Sequence, residues 1–299
     1  MTSDPSGLVY AGDFPDPFVL AVPPSASAPR RFYAYATNGR LGNVQLLMST
    51  DLRTWDEVGD AMPRLPAWVR PGRTWAPEVL PLPDGRYAMY YTARCVATER
   101  QAIGVAVADA PEGPFEDVLG GPLLDQDEGG SIDASPFTDV DGRRYLLWKN
   151  DGNAVGLDTW IHLQELDPED PARLVGEPVR LLKQDRPWEG PLVEGPFLWR
   201  RDGRYYLFYA ANAFADPAYA EGYAVADAIT GPYAKAPENP ILVGDARREG
   251  PGHASLVEHD GRTWIAYHAW PAGGVGGPEG RRFWIAEVRW EDDRPRIFG

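Results

Sequence analysis

An Asp-Gly pair followed by arginine recurs four times down the chain, at Asp84-Gly85, Asp141-Gly142, Asp202-Gly203 and Asp260-Gly261, at intervals of 57, 61 and 58 residues. Behind each pair comes an aromatic-rich run with the character of a strand: residues 86–92, 143–149, 204–210 and 262–268. Ahead of each lies a shorter apolar run: residues 78–82, 135–139, 196–199 and 255–258. Strand, Asp-Gly, strand is the strongest short-range hairpin signal a sequence offers, because both residues tolerate the positive φ that tight hairpin turns require. A third apolar run follows in each unit (residues 102–108, 160–166, 222–226 and 283–290), then a weaker fourth (115–118, 179–182, 233–236 and 296–298). Residues 18–58 show the same order of four runs without the Asp-Gly.

Five units of four strands at one period define an all-β chain, and radial repetition is the arrangement that hides the edges of so many short sheets. The expectation is a five-bladed β-propeller with four antiparallel strands per blade, formed by residues 1–299 as a single catalytic domain. No linker, charge block or low-complexity tract divides the chain, and residues 23–29 read as a solvated loop inside the first hairpin. The 32 glycines and 30 prolines fit the many turns this demands, and 12% aromatic residues fit many half-buried strand faces. A two-sheet sandwich is the competing architecture, but about twenty strands in units of four do not suit it.

The formal net charge of −15 argues against nucleic acid as a partner, since no basic stripe is available to neutralise phosphates, and against docking on an anionic membrane. One cysteine, Cys95, rules out an intrachain disulfide and fits a reducing compartment. Residues 1–12 are polar, without the apolar core of a secretory signal, so the expected location is the cytoplasm.

Three acids stand where the first strand of a unit begins. Asp16 lies in Phe14-Pro15-Asp16-Pro17, Asp133 in Ile132-Asp133-Ala134-Ser135-Pro136, and Glu194 in Val193-Glu194-Gly195-Pro196. The first interval is 117 residues, nearly two repeats, and the second is 61, one repeat. The three are therefore expected at one end of the central funnel, near its axis. Each alone reads as an ordinary turn or loop acid; the shared position is what sets them apart. Converging carboxylates repel, so burial and mutual repulsion should keep a proton on one of them near neutrality. Glu194, wedged between apolar and turn residues, is the expected general acid. Glycoside hydrolysis uses one carboxylic acid to protonate the leaving oxygen and a carboxylate on the other face of the sugar, and a third can tune the acid.

These motifs, with Trp75-Ala76-Pro77-Glu78 and Gly250-Pro251-Gly252-His253, resemble glycoside hydrolase family 43, the five-bladed arabinofuranosidases, xylosidases and arabinanases, over essentially the whole chain. The resemblance implies that Asp16 is the general base activating water, that Asp133 modulates and positions the acid, and that Glu194 is the general acid. It also implies inversion in a single displacement, with the carboxyls of Asp16 and Glu194 roughly 6.5–9.5 Å apart. Phe14 and Trp75 are expected at the funnel mouth as sugar-binding aromatics, and Arg281, or its neighbour Arg282, as a ligand for sugar hydroxyls. The matching histidine of the family often touches a channel calcium, which makes His253 a candidate metal contact. Such a Ca²⁺ would serve structure and electrostatics, and no cofactor is needed for the chemistry. Glu78 is expected to hold the channel together, Glu189 to be a rim acid outside the catalytic set, and Cys95 to be inert packing.

The expected function is hydrolysis of pentose-containing oligosaccharides or polysaccharides. An exo-acting α-L-arabinofuranosidase comes first, a β-D-xylosidase second and an endo-arabinanase third. That order rests on a loose likeness of residues 188–214 to exo-acting members and on the expected location. A non-catalytic glycan- or protein-binding propeller is the rival from another class. The chain lacks the Gly-His and Trp-Asp repeat of scaffold propellers, and none of the three acids is missing.

Overall fold

The structure is a computed structural model that describes residues 7–24 and 29–299. It is a five-bladed propeller of antiparallel sheets. The innermost strands of successive blades are Phe18–Val22, Val69–Pro81, Ser131–Thr138, Val193–Arg201 and Arg248–His259. Each packs against the next, and Arg248–His259 returns to Phe18–Val22, which closes the ring. The only helical segments among the described residues are two short 3-10 turns, Gly152–Val155 and Pro187–Glu189. Most of the loop at residues 23–29 lies outside the described residues.

The Asp-Gly turns come in two forms. In blades four and five the pair is the whole loop: Arg201 pairs with Arg204 and His259 with Arg262, with positive φ at Asp202, Gly203, Asp260 and Gly261. Such two-residue turns match the right-handed twist of the strands they join. In blades two and three the loop is one residue longer. The N–H groups of Gly85 and Gly142 donate to the carbonyls of Leu82 and Asp139, and only the glycine takes positive φ.

The second strand of each blade supplies the large side chains between blades. Tyr33, Tyr35, Tyr90, Tyr91, Tyr206 and Tyr209 are all almost completely buried. Burying a ring of this size is worth roughly 3 kcal/mol, provided that the phenol finds an acceptor. The acceptors often lie on the next blade: Tyr35 donates to the carbonyl of Pro111 (2.5 Å), Tyr90 to that of Pro171 (2.8 Å) and Tyr206 to that of Asp293 (2.9 Å).

Blade five carries one strand more than the repeat predicts. Gly7–Tyr10 pairs with one half of the strand Arg282–Glu291, and Arg294–Phe298 pairs with the other half of the same strand. The sheet that ends the chain is thus also joined to the segment that precedes blade one.

Candidate active site

Each inner strand carries, within it or just before it, a residue in the left-handed region at an equivalent place: Asp16, Ala76, Asp133, Gly195 and His253, with φ of 56°, 42°, 58°, 55° and 52°. At the four non-glycine positions this conformation costs roughly 1 kcal/mol or more. In blades two to five the strand pairing is irregular at that point. Side chains of the preceding blade fix the backbone there. Ala76 N–H donates to Thr37 Oγ1 (2.9 Å), Asp133 N–H to Thr92 Oγ1 (3.0 Å) and Asp16 N–H to His268 Nδ1 (3.1 Å). At Gly195 a Cβ would stand 3.0 Å from the ring of His253, so glycine lets that ring pack against the backbone and avoids the strain of positive φ.

Within this frame Glu194 is one residue out of step. The blade-four counterpart of Asp16 and Asp133 is Gly195, and Glu194 instead corresponds to Trp75 of blade two and Ile132 of blade three. Both positions face the site. Asp16, Trp75, Ile132, Asp133, Glu194 and His253 all line one cavity of about 440 Å³.

The three acids are nearly buried and differ in their surroundings. Asp16 Oδ1 meets Arg281 Nη1 at 2.8 Å, His268 Nδ1 at 3.1 Å and His253 Nδ1 at 3.5 Å, and Thr37 Oγ1 donates to Oδ2 at 2.5 Å. Burial by itself would raise this carboxyl. The charge of Arg281, with His253 beside it, outweighs it and holds the group well below the usual carboxylate range. His268 is neutral, pushed down to about 4 by burial and by the neighbouring Arg281.

Glu194 is moved the other way. Burial raises its pKa and the charge of Asp133 raises it further, against the opposing pull of Lys149. Tyr219 donates to Oε1 at 2.9 Å and Lys149 Nζ lies 3.5 Å from Oε2. Asp133 is also raised, by burial first, and its Oδ2 accepts the N–H of Gly195 at 2.9 Å. That bond ties Asp133 to the residue directly after Glu194. The site therefore holds one carboxylate stabilised as an anion, Asp16, and a neighbouring pair, Asp133 and Glu194, that favours keeping a proton, the division that acid–base hydrolysis of an acetal uses.

A family model for glycosyl hydrolases family 43 matches residues 8–295. The chain belongs to that family. Among its relatives, a β-D-galactofuranosidase of Aspergillus niger is 31% identical over 240 residues, which cover 74% of this chain and 64% of the relative. An extracellular exo-α-(1→5)-L-arabinofuranosidase of Streptomyces chartreusis is 32% identical over 65% of this chain and 62% of the relative. A xylan 1,3-β-xylosidase of a Vibrio species is 28% identical over 99% of this chain and 58% of the relative. The chain thus spans less than two thirds of the length of each of these curated relatives. Among solved structures, a thermostable family-43 glycoside hydrolase superposes with a TM-score of 0.85 at 30% identity, covering 96% of this chain and 93% of the other.

Within this family 43 domain, Arg281 rather than Arg282 faces the site. Arg281 pairs with Asp16 and lies over the ring of Phe214 at 4.7 Å, whereas Arg282 pairs with Glu279. The backbone N–H of Arg281 donates to Asp13 Oδ1 at 2.8 Å. Gly280 makes room for this contact, because a Cβ there would fall 2.2 Å from the same oxygen.

Trp75 lines the cavity, but Phe14 does not reach it. Its ring is fully buried between blades one and five and stacks on Phe283 at 5.5 Å. The apolar ring next to Asp16 gains more from that core than from the funnel mouth. Glu78 is buried between blades two and three and accepts a bond from Ser135 Oγ at 2.8 Å. Glu189 is fully buried away from the cavity, held by the N–H groups of Asp185 and Arg186, by Tyr209 and by Lys235.

His253 faces the channel beside Asp16. Among the described residues no three His, Cys, Asp or Glu side chains converge to hold a metal ion. A hard cation prefers oxygen ligands, and His253 would offer it one nitrogen, with Arg281 already on the nearest carboxylate. Among the described residues the side chains beside His253 do not form a calcium cage.

Lys149, Tyr219, Thr37, His268 and Phe214 belong to the site although the motifs did not single them out. Lys149 had a visible signal. It follows the apolar run 145–148 within the strand Arg144–Asn150, and it is completely buried, with Nζ donating to Asn153 Oδ1 at 2.6 Å. Tyr219 had none, since it is one of 14 tyrosines.

Proposed function

We propose that this chain is an inverting glycoside hydrolase that releases a terminal pentose, with α-L-arabinofuranose as its first substrate. The observation that carries the reading is two buried carboxyls in one cavity with opposite surroundings: Asp16 against the guanidinium of Arg281, and Glu194 beside Asp133, which should favour the anion at the first and the proton at the second. In this reading the Asp16 carboxylate takes a proton from a water molecule as that water attacks the anomeric carbon. Glu194 gives its proton to the glycosidic oxygen as the bond to that carbon breaks. The charge of Asp133 keeps Glu194 protonated closer to neutrality, and its bond to Gly195 N–H orients the acid. Arg281 steadies Asp16 as an anion. One displacement with water inverts the anomeric carbon and leaves no covalent intermediate.

Family membership supports hydrolysis of a glycosidic bond. The furanosidase names of the Aspergillus and Streptomyces relatives favour a five-membered ring, and the Vibrio relative keeps β-D-xylosides as the second choice. A panel of aryl α-L-arabinofuranoside, aryl β-D-xyloside and debranched arabinan tests the reading, with the configuration of the first-formed sugar followed by NMR. Release of arabinose with inverted configuration, abolished by Asp16→Ala, is the expected result. Retained configuration refutes the single displacement. Preferred turnover of the xyloside or the polymer refutes the substrate, and turnover of none of the three refutes the hydrolase.

A further inference from the structure

A second cavity, about 320 Å³, adjoins the first on blade two, and Arg73 and Trp75 line both. Its other walls are Arg70, Arg94, Glu99 and Gln101. Three guanidinium groups thus meet one carboxylate. Glu99 pairs with Arg70, and its other oxygen lies 3.7 Å from Arg94 Nε. Arg73 has no hydrogen bond or ion pair with any described residue. The cavity is therefore a local excess of two positive charges on a chain whose net charge is −15. A cationic patch kept within so acidic a surface selects for an anion.

Gln101 gives the cavity its second character. The residue is 2% exposed, and neither Nε2 nor Oε1 has a hydrogen-bond partner among the described residues. A buried amide left without partners is destabilising, and it is relieved by a ligand that brings both an acceptor and a donor. Trp75 contributes an aromatic wall continuous with the first cavity, and such faces suit the C–H faces of sugar rings.

We propose that the second cavity is a subsite for a carboxylate-bearing sugar, a uronic acid unit of the same glycan whose pentose lies over Asp16 and Glu194. This rests on the glycosidase reading of the first cavity. The carboxylate meets Arg73 in planar, bidentate fashion. The ring lies along Trp75. A hydroxyl and a carboxylate oxygen, directly or through one water, serve the two ends of the Gln101 amide.

The test is calorimetric binding of β-1,4-xylotriose and of the same trisaccharide bearing one glucuronic acid, in an Asp16→Asn background that prevents turnover. The acidic sugar should bind roughly 5-fold more tightly at 50 mM salt, as one partly exposed ion pair supplies, and the preference should shrink at 300 mM. Arg73→Ala should abolish it. Arg94→Ala, at a half-buried position, should weaken it, and Gln101→Leu should weaken binding of the acidic sugar more than that of xylotriose. Equal affinity for the two sugars, or a preference that survives both arginine substitutions, overturns the proposal. Wild-type turnover of aryl pentosides reports separately on the first cavity. Turnover without acidic preference removes the subsite alone, and acidic preference without turnover removes the hydrolase reading alone.

Discussion

Replacing Tyr219 with phenylalanine removes one hydroxyl from the wall behind Glu194. The ring would keep its stacking on His268, where the centroids are 5.6 Å apart and the planes within 5° of parallel. The hydroxyl donates to Glu194 Oε1 at 2.9 Å, and it stays protonated because burial and the nearby carboxylates push it well above its ordinary value. A hydrogen bond to an ionised group is worth about 1.5–3 kcal/mol and one to a neutral group about 0.5–1.5 kcal/mol. Losing this bond therefore penalises ionised Glu194 by roughly 1–1.5 kcal/mol more than protonated Glu194. At about 1.36 kcal/mol per pH unit, the pKa of the acid should rise by about one unit. The assay is kcat/KM against pH on a pentoside with a poor leaving group, which reports the groups of the free enzyme. The basic limb should move up by about one unit in Tyr219→Phe, while the acid limb, set by Asp16, keeps its place. A basic limb that stays put or moves down would refute Glu194 as the group that loses its proton there.

Asp133→Asn should move the same limb down, because the negative charge that raises Glu194 is gone while the amide oxygen can still accept the Gly195 N–H; an unmoved limb would restrict Asp133 to positioning. Glu78→Gln tests the buried acid between blades two and three, which burial raises well above its ordinary 4.5. Its contribution to stability is full below 4.5 and is lost progressively as pH rises toward its folded-state value, whereas glutamine has no such loss. The Tm of Glu78→Gln relative to wild type should therefore become more positive from pH 4.5 to 8, and a flat difference in thermal melts would contradict the protonated state.

The repeat was legible because each blade must turn tightly after its inner strand, and Asp-Gly is the chemistry that does so at four of the five. The strand Gly7–Tyr10 was not. It is four residues long, and it completes a sheet whose other strands lie at the far end of the sequence. Acid positions were legible to within one residue. The pairing irregularity in blades two to five lets either of two adjacent positions reach the cavity, as Ile132 and Asp133 both do, so Glu194 reaches it from one place earlier than Asp133. An irregularity of this kind leaves no mark in hydrophobic alternation, which counts residues and not hydrogen bonds. Phe14 and Trp75 show a related limit. Both are aromatics beside a candidate acid or motif, yet one stacks on Phe283 in the core and the other walls the cavity, and only tertiary packing separates them. Lys149 and Tyr219 reach Glu194 from the second strand of blade three and from the entry to the third strand of blade four, where a sequence read blade by blade has no frame to relate them.

The division of labour between Asp16 and Glu194 is tested most directly by Glu194→Gln on a pair of substrates that share a sugar and differ in leaving group. A poor leaving group should lose at least roughly 100-fold in kcat, the contribution of a general acid, while a 2,4-dinitrophenyl leaving group, which departs without a proton, should lose far less. Small and equal losses on both substrates would contradict the assignment of proton donation to Glu194.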